Sequence, residues 1–147
     1  MKYVLFGYLI ISVYTVAHEL AHAICAKAFG LNIIKIQLGS KLLCVEGRRL
    51  NISPILIGGY VEVAHTELLR LPKLKKIVYF EAGCLANIFI MILFATVLRG
   101  FLAYEHYFIA VCLIFANQIP VGKTDVSMLI QYNKKRTPPS ITVPAGV

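Results

Sequence analysis

His18-Glu19-Leu20-Ala21-His22 stands inside an apolar run, residues 4–28, that opens with fourteen uncharged residues, 4–17, and meets its first cation at Lys27. A helix needs about 20 residues, at 1.5 Å each, to cross the hydrocarbon core of a bilayer, so the run predicts a membrane-spanning helix with three ionisable groups on it. Residues at i and i+4 are about 40° apart around a helix and 6 Å apart along it, so both imidazoles point one way and can grip one Zn²⁺. Glu19 projects nearby as a base, suited to take a proton from water and pass it to a leaving amine. A charge at bilayer depth costs roughly 2.5–3.5 kcal/mol even on insertion scales, which a purely structural trio would not offset.

The rest of the chain agrees with a membrane protein. It has 147 residues, 59% of them hydrophobic and 15% charged, with mean hydropathy +0.75, which excludes an ordinary soluble domain and extended disorder. Fifteen Lys+Arg against seven Asp+Glu give +8. In a soluble domain that excess would suggest nucleic acid; beside apolar spans it orients the protein in the membrane, and no nucleic-acid partner is expected. The four cysteines, Cys25, Cys44, Cys84 and Cys112, form no C-x-x-C pair and read as packing residues. Lys2, the apolar run and Ala21-His22-Ala23 imitate a secretory leader, but cleavage there would destroy the paired histidines, so the span is expected to be retained.

Two further spans are expected, at about 77–98, with Glu81 and Asn87 in it, and at about 103–120, where Asn117 and Pro120 end the helix. The fold class is therefore membrane α-helical, a core of three transmembrane helices. Lys27, Lys35, Lys41, Arg48, Arg49, Arg70, Lys73, Lys75 and Lys76 lie between the first two spans, and Lys123, Lys134, Lys135 and Arg136 after the third, against Lys2 and Arg99 on the other side. The positive-inside rule places the long loop and the C-terminus in the cytosol and the N-terminus outside. Within that loop, residues 33–38, 42–46, 48–52 and 59–63 read as short strands, giving a small β-sheet over about 33–64. Pro54 and Gly58-Gly59 bracket the apolar Ile55, Leu56 and Ile57, which can dip into the membrane only if protein shields their backbone. Residues 1–133 form the expected core, and 134–147, with three prolines, a flexible tail.

A catalytic zinc usually takes three protein ligands, so a third is owed. Asp125, the only aspartate, follows the break at Asn117-Gln118-Ile119-Pro120, and a broken helix is a sensible way to hold a carboxylate beside a cavity. Glu46, Glu62, Glu67, Glu81 and Glu105 read as solvated, and His65 and His106 as interfacial.

His18-Glu19-Leu20-Ala21-His22, Gly58-Gly59-Tyr60-Val61, Ala82-Gly83-Cys84-Leu85-Ala86-Asn87 and Asn117-Gln118-Ile119-Pro120 with Asp125 together resemble the ordered motifs of the site-2 protease family of intramembrane zinc metalloproteases. The resemblance covers about residues 18–127. It implies one Zn²⁺ per chain held by His18, His22 and Asp125, with Glu19 as general base. It further implies that Gly58, Gly59, Tyr60 and Val61 align the substrate backbone, and that Asn87 and Asn117 line the site as polar partners of substrate or oxyanion. The expected activity is zinc-dependent hydrolysis of peptide bonds in membrane-embedded or membrane-tethered proteins, in a bacterial cell membrane. Its expected partners are such substrates, the lipid bilayer and a regulatory membrane protein, since the chain has no room for a PDZ or regulatory domain. Two positions depart from the family pattern: Cys84 replaces a common proline, and Leu-Asp-Gly appears as Thr124-Asp125-Val126. A catalytically silent membrane adaptor of the same fold is the alternative that the second departure raises.

Overall fold

A computed structural model describes residues 1–40, 44–119 and 124–134. The first helix, α1, runs Lys2–Ala28, two residues longer at its start than expected. Strands β1 (Ile33–Leu38), β2 (Val45–Glu46), β3 (Leu50–Ile52) and β4 (Gly59–Val63) follow, then a short helix α2 (His65–Arg70). Helix α3 (Lys73–Ala95), α4 (Phe101–Gln118) and α5 (Asp125–Lys134) complete the chain. The first and last strands fall on the expected residues, while β2 and β3 are shorter than expected and positions 42–43 lie outside the described residues. Pro120 and residues 135–147 also lie outside them, so the expected tail is described only at Lys134, which closes α5 instead of opening a tail.

Two of the helices, α1 and α3, are long and apolar enough to cross a membrane. Helix α3 begins four residues before the expected span because Pro72 caps it and the basic residues from Lys73 to Lys76 join its first turns. The expected third span corresponds to α4, whose 18 residues carry Glu105 and His106 near one end and Asn117 and Gln118 at the other. Large apolar side chains on the outer faces of α1 and α3, among them Leu9, Val13, Phe89 and Ile92, are exposed. Such a surface suits hydrocarbon and not water.

The sheet order is β2-β3-β1-β4, with β1 parallel to β3 and antiparallel to β4. β4 is therefore an edge strand. The segment after β3 runs back along α1 toward its N-terminus, where the Tyr8 hydroxyl donates to the Pro54 carbonyl at 2.5 Å and accepts the Leu56 N–H at 3.3 Å. Ser53 Oγ accepts the Ile55 N–H, and the Ile55 carbonyl accepts from Ser40 N. These bonds give the backbone from Pro54 to Leu56 partners, while the side chains of Ile55 and Ile57 stay exposed.

Two apolar clusters hold the helices together. One gathers Ala26, Leu31, Leu68, Leu71, Tyr79, Phe80 and Tyr132; the other gathers Ile10, Tyr14 and Ala110. Along α1 they lie on either side of residues 18–22, so the polar groups sit between two packed blocks.

Candidate metal centre

His18, Glu19 and His22 share the buried face of α1, with Tyr14, Thr15 and Ala26. Asp125, in the first turn of α5, meets them although it is more than a hundred residues away. His18 Nε2 lies 3.0 Å from Asp125 Oδ2, His22 Nε2 lies 3.3 Å from the same oxygen, and the two Nε2 atoms are 3.2 Å apart. A tetrahedral zinc about 2.0 Å from each ligand separates its ligand atoms by about 3.3 Å, so the triangle has the size such an ion requires.

The neighbours of the imidazoles fix their tautomers. His22 Nδ1 is 2.8 Å from the Tyr79 carbonyl, which only accepts, so Nδ1 carries the proton and Nε2 turns a lone pair toward the triangle. His18 Nδ1 lies 3.3 Å from Asn87 Nδ2, and the buried Asn87 Oδ1 has no partner among the described residues. Turning that amide by 180° sets Oδ1 against the ring N–H, which satisfies the oxygen and aims His18 Nε2 at the same point. Burial alone would raise the Asp125 carboxyl, but when His18 and His22 are protonated toward it their hydrogen bonds and charge outweigh burial and hold it at about 2, so the group is ionised. Two lone pairs and a carboxylate converging in a buried place fit zinc by donor type as well as by spacing.

Two glycines make room for this packing. A Cβ on Gly83 of α3 would stand 2.3–2.4 Å from three atoms of the His18 ring. One on Gly59 would stand 2.8 Å from Glu19 Cγ and 2.6 Å from the Gln37 carbonyl. Sequence reading quoted Gly83 inside a motif without giving it a task; its signal, a glycine one helical turn before Asn87, is visible only once α3 is laid on α1.

Glu19, with His18, Gly58, Gly59, Asn87 and Asn117, lines a cavity of about 170 Å³, room for several waters. Of the expected substrate residues, Gly58, Gly59, Asn87 and Asn117 reach it; Tyr60 and Val61 continue along β4 and are not among its walls. One group read from sequence as interfacial is buried instead. His106 is fully buried, its Nε2 2.7 Å from the Tyr14 hydroxyl, which corrects the interfacial reading. Glu81 accepts from Gln118 at 2.9 Å, Glu67 accepts the Asn32 N–H at 2.6 Å, and His65 pairs with the Tyr132 hydroxyl.

The Thr124-Asp125-Val126 departure also finds a local reason. Thr124 Oγ1 accepts from Ser127 N at 3.4 Å and donates to the Ile119 carbonyl, so it caps α5 as a leucine would not. Val126 is helical there and needs no glycine.

Two helices long and apolar enough to cross a membrane, beside a two-histidine, one-carboxylate cluster that could hold a metal, suit the class of hydrolases that work at a membrane. The model of Peptidase family M50 matches residues 6–139, and the chain belongs to that family, the site-2 protease family. It is a membrane protease by that membership, and the metal of its family is zinc. A comparison with curated proteins found no match.

Proposed function

We propose that this chain is an intramembrane zinc endopeptidase that cuts membrane-embedded or membrane-tethered proteins. The single observation that carries the reading is the 3.0–3.3 Å triangle of His18, His22 and Asp125, whose His18 lines one cavity together with Glu19. His18, His22 and Asp125 hold the ion, which when bound supplies Lewis-acid polarisation of the scissile carbonyl and a more acidic attacking water. Glu19 is placed to take a proton from water in the cavity it lines and to pass it to the departing amine. Asn87 keeps His18 in the ligating tautomer, and Asn117, across the cavity, donates its amide N–H to the carbonyl oxygen as charge grows there.

A helical substrate protects its own peptide bonds, so the scissile segment must first unwind. The outer edge of β4, at Gly59 and Val61, receives it as an added strand, and Gly59, bare of a side chain, brings that strand to Glu19. In this reading α4 is a third span, about 27 Å long, the sheet and C-terminus are cytosolic, and the N-terminus is outside. The experiment is co-expression with single-span substrates. Wild type is expected to cleave, and Glu19→Gln to lose activity by about 10²–10⁴-fold; equal cleavage by both removes the mechanism.

A further inference from the structure

A second concavity, of about 480 Å³, lies on the far side of α1 from the metal ligands. One wall is the stripe Leu20, Ala23, Ile24 and Lys27, whose i, i+3, i+4, i+7 spacing makes one helix face, while His18 and His22 occupy another. Opposite stand Ile33 and Ile36 of β1 with Arg49 before β3. Ile33 and Ile36 would point to opposite faces of a regular strand; the bulge between Ile33 and Lys35 brings both into the groove. The Arg49 carbonyl accepts the Ile36 N–H at 2.8 Å, which fixes the backbone beside the floor.

We propose that this groove binds one anionic phospholipid, acyl chain along Leu20 and Ile24 and headgroup phosphate between Lys27 and Arg49. Charge complementarity selects the occupant: an apolar trough ends in two exposed cations, and among the described residues neither has a carboxylate within ion-pairing distance. Basic pockets beside membrane helices at the interface take anionic headgroups in this way. The geometry disfavours polypeptide. β1 is hydrogen-bonded on both sides, by β3 and β4, so the floor has no open backbone edge for a strand. A helix about 10 Å across would fill the volume in roughly one turn. Lipid seated here bears on the helix that carries the metal ligands, at their own height.

The test is native mass spectrometry of the full chain, stripped of lipid in mild detergent and titrated with phosphatidylglycerol or phosphatidylcholine of identical chains. It needs no proteolytic activity, so its outcome is separate from that of the protease reading. Two cations at the interface predict about thirtyfold preference for phosphatidylglycerol. Lys27→Gln with Arg49→Gln is expected to bring the two lipids to parity, and the charge-matched pair Arg70→Gln with Lys73→Gln to keep the preference. A photo-crosslinker at Ile24 is expected to capture lipid. No preference in wild type, preference surviving in the groove variant, equal loss in both variants, or capture of a second polypeptide at Ile24 overturns the proposal.

Discussion

Asn87→Ala removes the amide that faces His18 Nδ1, and loss of such an outer partner lowers metal affinity by roughly 10–100-fold. Asn87→Asp keeps an oxygen acceptor there and is expected to retain affinity within a few-fold of wild type, measured by competition with a chromophoric chelator. Loss in both variants would mean that Asn87 does not set the ring. The two tight glycines separate holding the metal from using it. Gly83→Ala drives a methyl group into the His18 ring and is expected to abolish metal retention. Gly59→Ala presses on Glu19 and is expected to keep the metal while turnover falls by about 10²-fold, the scale of a 1 Å misplacement. Zinc content and cleavage rate, read on the same preparations, distinguish them. None of these neighbours follows from spacing. The i, i+4 histidines could be paired on paper because one helix fixes their relation, whereas the Asn87 contact depends on how α3 packs against α1.

Helix α5 is where element-level reading from sequence stopped. The strands at 33–38 and 59–63 were legible because alternation and turn residues mark them locally. Residues 125–134 follow a proline and precede a basic, proline-rich stretch, and ten residues are too few for a helix to declare itself without packing. What holds α5 is tertiary: Tyr132 is buried against Phe80, 5.7 Å between ring centroids, and its hydroxyl meets His65. Tyr132→Phe is expected to cost about 1 kcal/mol, the net worth of one hydrogen bond. His65→Ala should cost a similar amount, and the pair should be non-additive in denaturant melts in detergent. Simple additivity would show that the bond does not anchor α5. Because Asp125 opens this helix, its anchoring also holds that carboxylate against His18 and His22.

At the scale of the whole molecule, two apolar clusters lie on either side of the polar centre, one around Tyr14 and Ala110 and the other around Tyr79 and Phe80. Neither depends on an ion. Chelation is therefore expected to stop cleavage while leaving helix content by circular dichroism nearly unchanged, and one equivalent of zinc to restore turnover. Unfolding on chelation would assign the metal a structural role instead. The family was legible from four motifs in order, since each survives as a short string of residues. Convergence of Asp125 on His18 and His22 is a property of the packed helices, and so is the groove behind α1, whose walls come from three separate segments.

The most direct measurement is the zinc content of purified protein. One zinc per chain is predicted for wild type and for Glu19→Gln, falling to background in Asp125→Ala while that variant keeps its helix content. Absence of zinc from wild type, or its full retention in Asp125→Ala, would contradict the assignment of His18, His22 and Asp125 as the centre of this protease.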